Sequence, residues 1–326
     1  MIRNNLSHIQ KPIEKELDEF DDVFKKTLKS KVALVDLVAK YILKQKGKKI
    51  RPLLVFHSAR CCGTINGRSY RGATLVELLH TATLVHDDVV DNAEKRRGLP
   101  SINAIWKNKV AVLMGDYLLS RGLMTAVENE DYDFLKIITD TVKIMSEGEL
   151  LQISKTKKLD IDEETYFKII SYKTASLLAT CCEIGATSAT NDASVIKAMR
   201  SFGENLGMAF QIRDDILDYI GSSKIIGKSI GRDIKDKKMT LPLIYALKNA
   251  DGKQASKILK FIRSGEKNTN VQEVINFVLE KGGIEYAEKV SLEFTEKAKE
   301  EMKKVNNTEV SEPLLSLLDY IVTRKK

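Results

Sequence analysis

Apolar residues recur at three- and four-residue steps through most of this chain, a spacing that belongs to helices and not to strands. It runs through IEKELDEFDDVFKKTL (13–28), ALVDLVAKYIL (33–43), residues 73–90 and FKIISYKTASLLATCCEIGATSA (167–189). No sustained alternation of period two lies between turn signals, so few strands or none are expected. Pro52, Pro242 and Pro313 precede apolar runs and suit first helical turns. Ser311 suits an N-cap for the last of these. Pro12 and Pro100 sit in connectors. The pattern predicts an all-α fold, a single domain over residues 1–326.

With 326 residues, 43% hydrophobic and 30% charged, the chain has ordinary globular composition. No continuous apolar run approaches the roughly 18 residues that cross a bilayer. The first twenty residues carry no apolar core of a secretory signal, so a cytoplasmic protein is expected. The four cysteines form two vicinal pairs, 61–62 and 181–182, a spacing that suits neither zinc nor a disulfide framework. Buried thiols are expected. The net charge of +8 is spread over helices where acids interleave, as in EKAKEEMKK (296–304), so it reads as solvated faces and no nucleic-acid partner is expected.

Three connectors stand out: CCGTINGRSYRG (61–72), a turn-rich link; EKRRGLPS (94–101), a basic loop; and the stretch 221–239, longer than a connector needs and hence a functional candidate. Two of these adjoin acidic clusters. Asp87-Asp88-Val-Val-Asp91 follows the apolar run TLVELLHTATLVH, and Asp214-Asp215-Ile-Leu-Asp218 follows GENLGMAFQIR. On a helix, Asp87 and Asp91 share a face one turn apart and repel. Carboxylates at a helix C-terminus also oppose its dipole. A solvated acidic helix end is the plain reading of either cluster alone. Two copies, each locally unfavourable, point to a bound cation. Oxygen-only ligands without His or Cys suit Mg²⁺, which keeps waters and bridges to phosphates. The EF-hand spacing is absent.

Cations lie close by in sequence. Gly47-Lys48-Lys49-Ile50-Arg51-Pro52 opens a helix, where backbone N–H groups and basic side chains hold anions. His80 precedes Asp87 by two turns on the same face, Arg96 and Arg97 follow the first cluster, and Gln211 precedes the second by three residues. Lys173-Thr174 interrupts a helical run, and Lys228, Lys237 and Lys238 flank Asp233. A core histidine and solvated lysines are the plain alternatives.

In strict order over residues 47–242 the chain carries GKKIRP, LLHTATLVHDDVVDNAEKRRGLPS, GDYLLSRG, EGELLQ, YKTASLL, FQIRDDILDY and GKSIGRDIKDKKMTLP. With these motifs it resembles the trans-isoprenyl diphosphate synthases, and among them the long-chain octaprenyl type. The resemblance implies a helical bundle around a deep central cavity, usually a homodimer. It implies head-to-tail condensation of isopentenyl diphosphate with an allylic diphosphate such as farnesyl diphosphate. Three Mg²⁺ ions per site are implied, with Asp87, Asp91 and Asp214 as ligands. The catalytic set adds Asp88, Asp215 and Lys173, with Asp218 beside them. Lys48, Arg51, His80 and Arg97 are implied to grip isopentenyl diphosphate. Arg96, Lys173, Thr174, Gln211, Lys228 and Lys238 are implied to contact the allylic diphosphate. A transient membrane contact at product release also follows.

The sequence departs from the family pattern at Lys237, where Gly commonly stands, and it has one Gly where GKKIRP often has two. The small Ala82 and Thr83, one helical turn deeper than Asp87, stand where bulky aromatics stop growth at short products in the family. A product of about C35–C40 is expected, since one turn rises about 5.4 Å, roughly an isoprene unit. A short-chain farnesyl or geranylgeranyl synthase is the alternative. A terpene cyclase needs no second diphosphate site, a squalene-type synthase has different motifs, and an inactive subunit of a heteromeric synthase typically lacks one cluster.

Overall fold

Helices that are apolar on every side take the centre of the molecule, and the amphipathic ones surround them. The structure is a computed structural model that describes residues 6–45, 47–156, 159–220, 231–264, 271–305 and 308–324. Its first part runs α1 (Leu6–Gln10), a 3₁₀ turn (Lys11–Ile13), α2 (Glu14–Thr27), α3 (Ala33–Lys44), α4 (Ile50–Cys62) and α5 (Gly67–Val90). A two-strand hairpin, β1 (Lys95–Arg96) and β2 (Leu99–Pro100), leads to α6 (Ile102–Glu128) and α7 (Tyr132–Thr156). Then come α8 (Glu163–Ile170), a π-helical turn (Ser171–Ala175), α9 (Ser176–Ala189) and α10 (Ala193–Ile220). The last part holds α11 (Arg232–Lys235), α12 (Leu241–Lys248), α13 (Gly252–Ser264), α14 (Val271–Glu280), α15 (Gly283–Met302) and α16 (Thr308–Thr323). The expected all-α fold is present; the hairpin is the one sheet among the described residues.

α4, α5 and α9 are buried on nearly every side, and each packs against the other two. α5 also lies along α6, and α10 lies along α9 and α15. Two apolar cores result. One gathers α1–α7, α9, the first half of α10, the end of α15 and α16; the other gathers α8, the second half of α10, α11–α14 and the start of α15. α10 joins the two. Leu53, Leu54, Phe56, Leu78 and Phe202 are sealed in the first core, each contributing about 1.5–3 kcal/mol by burial.

Three sequence expectations are corrected. The link 61–72 is only four residues long, because Asn66 accepts the N–H groups of Arg68 and Ser69 while Ser69 answers the Asn66 N–H, a capping box that starts α5 at Gly67. Pro313 is not in a first turn, nor is Ser311 an N-cap. α16 begins at Thr308 and runs through both. The proline forfeits one helical hydrogen bond there, and burial of Leu314, Leu317, Leu318 and Ile321 offsets the loss. Finally, α6 is long and apolar enough to cross a membrane by length and composition, with a mean hydropathy of 1.3. A third of that window is buried against the protein. The cysteines behave as expected: all four are free, three are buried, and burial pushes the Cys61, Cys62 and Cys182 thiols up to about 12.

Lys107 interrupts α6 with φ 69° and ψ 168°, a conformation essentially reserved for glycine. Replacing it by Gly is expected to stabilise the protein by about 1 kcal/mol and raise its thermal midpoint by about 2 °C. A calorimetric scan showing a lower midpoint would contradict the strain.

Candidate active site

Both acidic clusters end long helices, and the bundle points those ends into one cavity. It measures 1170 Å³ and is lined by Asp91, Arg96, Arg97, Glu149, Gln152, Gln211, Asp214, Asp215, Asp218, Asp233 and Lys238, among others. A shallower depression on the outer face of α15 holds none of these carboxylates.

In the first cluster the three aspartates do different things. Asp88 is 3% exposed and spends both oxygens on Arg96, whose Nε lies 2.8 and 3.0 Å away. The pair anchors the hairpin to α5, so neither residue is held ready for a ligand. Asp87 has no such partner. Burial, then the nearby Glu149, push its carboxyl up to about 6 despite Lys173; Asp91 adds to the push. Asp91 is exposed at the end of α5.

Lys173 reaches this group from the π-helical turn, a kind of irregularity frequent at functional sites. Its Nζ lies 2.5 Å from Glu149 Oε2 and donates to Gln152 Oε1 at 2.8 Å. Gly148 makes the approach possible: a Cβ there would meet the Tyr172 Cβ at 2.6 Å. Glu149 and Gln152 lie three residues apart on one face of α7. Sequence reasoning quoted their motif and assigned them no role, although the i, i+3 spacing of two polar residues in an apolar helix was the available signal.

The second cluster is similarly divided. Asp215 is buried, accepts from the Tyr166 hydroxyl at 2.7 Å and from Gln211 Nε2 at 2.8 Å, and is pushed up to about 8 by burial and by Asp233. Thr174 Oγ1 donates to the other end of Gln211 at 2.8 Å. Tyr166, Asp215, Gln211 and Thr174 thus form a chain of hydrogen bonds along the cavity wall. Asp218 accepts the N–H groups of Arg232 and Asp233 at 3.2 and 3.0 Å and so caps α11. Lys238 pairs with Asp233 at 3.1 Å. Asp214 is the member of this cluster held from outside the cavity, through Arg324 on the last helix at 2.6 Å. Tyr166 and Arg324 carried no motif that sequence reasoning could use.

Lys237, where the family pattern has Gly, adopts φ 58° in the left-handed region that favours glycine. Its Nζ donates to the Arg263 carbonyl at 3.1 Å, which offsets part of the strain. Lys228 lies outside the described residues.

A second cationic patch forms where the hairpin turn meets the start of α4. Arg97 and Gly98 are the two turn residues of the hairpin, both at positive φ, 49° and 80°, as a two-residue type I′ loop requires. The turn sends the Arg97 guanidinium to the Gln45 carbonyl at 3.0 Å and over Gly47, where a Cβ would come within 2.7 Å of it. Arg51 has its Nε sealed without a partner, and burial pulls its pKa down. Glu77 on α5 opposes it, its own carboxyl raised by burial and its Oε2 likewise unpartnered. His80 is buried beside Arg51, Arg97 and Arg96; burial first, then these charges, hold it well below the usual imidazole range. It is therefore neutral, a hydrogen-bond donor and not a cation. Lys48 Nζ meets the Tyr320 hydroxyl at 3.3 Å. Ala82 is buried in the first core, and the Thr83 hydroxyl bonds the His80 carbonyl at 2.8 Å; neither lines the cavity mouth.

The sequence model of polyprenyl synthetase matches residues 32–278. The chain belongs to this family. Among its relatives, the all-trans-nonaprenyl-diphosphate synthase (geranyl-diphosphate specific) of Rhodobacter capsulatus is 36% identical over 96% of both chains. The octaprenyl diphosphate synthase of Haemophilus influenzae is 32% identical, covering 98% of this chain and 97% of its own. A short chain isoprenyl diphosphate synthase of Methanothermobacter thermautotrophicus is 33% identical over 88% and 89%. The crystal structure of polyprenyl synthase from Caulobacter crescentus CB15, complexed with calcium and isoprenyl diphosphate, superposes with a TM-score of 0.92 at 31% identity over 99% and 98% of the chains. The chain is a prenyltransferase.

The donor set of this polyprenyl synthetase fits divalent metal. Asp87, Asp91 and Asp214 offer oxygen alone, and the push on Asp87 is what a cation would relieve. Among the described residues, no three of His, Cys, Asp and Glu converge into a closed metal site. An open site completed by substrate oxygens and water is how a hard cation binds beside a diphosphate.

Proposed function

We propose that this prenyltransferase makes a long all-trans polyprenyl diphosphate, about C35–C40, from isopentenyl diphosphate and an allylic diphosphate such as farnesyl diphosphate, with Mg²⁺. The observation that carries the reading is the meeting of both acidic clusters in one cavity, with a separate cationic patch of Arg51, Arg97, His80 and Lys48 on its flank. Two diphosphates need two such places, and a terpene cyclase needs only one.

In this reading Asp87, Asp91 and Asp214 hold Mg²⁺. The metal supplies charge to stabilise the departing pyrophosphate. Lys173, fixed by Glu149 and Gln152, stands at the allylic diphosphate and steadies the same developing charge. Arg51, Arg97 and Lys48 bind isopentenyl diphosphate by charge, and neutral His80 donates one hydrogen bond. The apolar walls of α4, α5 and α9 exclude water, which would quench an allylic cation. The proton lost from isopentenyl diphosphate passes to pyrophosphate. Incubating the protein with Mg²⁺, isopentenyl diphosphate and farnesyl diphosphate, then resolving the dephosphorylated products, tests the whole reading. A cyclic product or none would overturn it.

Product length rests on Ala82 and Thr83. In this reading small side chains there would let a growing chain pass along α5 beyond the cavity lining, and nonaprenyl and octaprenyl synthases among the relatives support the long product. Short-chain relatives of similar identity favour the alternative. Ala82→Tyr is expected to truncate the product to about C15–C20, about four isoprene units shorter, with the first condensation still active. If the variant folds by circular dichroism and still gives the wild-type length, this account of length control fails.

The metal reading has a pH signature. Asp87 and Asp215 are raised above the ordinary carboxylate value of about 3.8. Their contribution to stability without metal is complete below that value and is lost as pH rises through about 6 and about 8. Mg²⁺ binding favours the ionised forms and releases protons. The rise in thermal midpoint on adding Mg²⁺ is therefore expected to be larger at pH 8 than at pH 5. Comparing scans with Mg²⁺ and with chelator checks this; an equal rise at both would contradict it.

The homodimer implied by the family finds support in α6, where Val112, Leu113, Met124 and Val127 are 40–59% exposed on one helical stripe. A second copy is the occupant proposed for it, and a monomer mass by sedimentation equilibrium would exclude that.

A further inference from the structure

The end of α16 reaches both sides of the site. Tyr320 places its hydroxyl 3.3 Å from Lys48 Nζ, and one turn later Arg324 meets the second acidic cluster. The Arg324 amide still donates to the Tyr320 carbonyl at 2.9 Å, so this turn continues the helix.

Arg324 is held more tightly than a surface arginine. Its side chain is 9% exposed and stacks on the Phe210 ring at 4.2 Å. Nη2 donates to the Phe210 carbonyl at 3.2 Å and to Asp214 Oδ1 at 2.6 Å. Phe210 and Asp214 are one turn apart on α10, so a single nitrogen bridges backbone and carboxylate. The carbonyl of Arg324 is in turn fixed by Arg213, at 3.0 and 3.2 Å. Arg213 is the neighbour of Asp214 and points to the other side of α10. The helix thus grips the residue at both ends.

The acid chosen matters. Asp214 lines the cavity, and Arg324 does not. The guanidinium therefore reaches the carboxylate from outside the cavity lining. Beside it Asp215, Asp218 and Asp233 crowd the same wall. A fixed cation there lowers the repulsion among them and holds one rotamer of Asp214. Partners of this kind behind ligating carboxylates typically alter metal affinity about 10–100-fold.

We propose that Arg324 is a positioning residue for the allylic half of the reaction: it fixes Asp214 for the metal that binds the diphosphate there. This rests on the proposed function. Calorimetric titration of inorganic pyrophosphate, with Mg²⁺ and with chelator, isolates the metal-dependent binding. Arg324→Gln is expected to weaken that binding about 10–100-fold, and Arg324→Lys to recover part of it. The KM for the allylic diphosphate should rise accordingly. Metal-free binding of isopentenyl diphosphate should stay as in the wild type; the thermal midpoint is expected to fall with the lost buried pair, and a scan checks that the variant is folded at the assay temperature. Unchanged or tighter Mg²⁺–pyrophosphate binding in Arg324→Gln would overturn the proposal, as would parallel losses of both ligands. Asp214→Ala separates the two levels. If it binds Mg²⁺–pyrophosphate like the wild type, the metal assignment itself is wrong. If it loses binding while Arg324→Gln does not, only the role of Arg324 is.

Discussion

Asp87→Ala is expected to slow condensation about a thousandfold, and Asp214→Ala by a similar factor, with the fold intact in both. Losing one ligand of a metal that stabilises developing charge costs several kcal/mol of transition-state energy, and about 1.4 kcal/mol is tenfold in rate. Asp87 does no structural work of the kind its neighbours do, whereas Asp214 holds the buried Arg324, so Asp214→Ala is expected to fold but with a lower thermal midpoint. Asp87 is pushed up to about 6 by burial and like charges, so its removal relieves strain in the metal-free protein. Asp88 and Asp215 differ in this respect. Asp88 anchors the hairpin through Arg96, and Asp215 closes the chain to Tyr166 and Gln211. Their alanine variants are expected to lose stability as well as rate. Steady-state rates with Mg²⁺, paired with thermal scans, check both halves. An Asp87→Ala variant that keeps more than about a tenth of the rate removes Asp87 from the metal site.

Arg51→Ala is expected to raise the KM for isopentenyl diphosphate about 10–100-fold and to leave the allylic KM within about threefold. Charge-assisted hydrogen bonds contribute about 1.5–3 kcal/mol each, which sets that range. Arg51, Arg97 and His80 gather near the start of α4 and the middle of α5, away from Asp214. The protein keeps Arg51 charged in a buried place with its Nε unpartnered, at a cost in folding that a bound anion would return. Glu77 is then left without its counter-charge, so the variant is also expected to be less stable at neutral pH. Varying each substrate at saturation of the other measures the split. Equal changes in both constants would mean that the two diphosphates share one place.

The helices were legible in the sequence because three- and four-residue periodicity is a local property. So were the two aspartate clusters, since their repulsion at a helix end can be argued from spacing alone. Start signals that rest on side-chain chemistry were present but easier to miss: Asn66 and Ser69 fix the first turn of α5 six residues ahead of the apolar run. Pro313 misled, because first-turn preference is a tendency and the packing of the last helix overrides it.

What each aspartate does could not be read this way. Asp87 and Asp88 are adjacent, yet a helix turns about 100° per residue, so Asp88 meets the hairpin while Asp87 lies near Glu149 and Lys173. Which neighbour waits on each side depends on the crossing of helices far apart in sequence. The same holds for Lys173, whose partners on α7 are reached only because Gly148 lets two backbones approach. It holds most of all for Arg324, which lies 110 residues from Asp214. Local sequence determined which segments are helical and where charge is concentrated, since those follow from short-range periodicity and repulsion. Tertiary packing alone decided which partner each carboxylate meets, because that choice is made by burial and by side chains that only the folded bundle brings together.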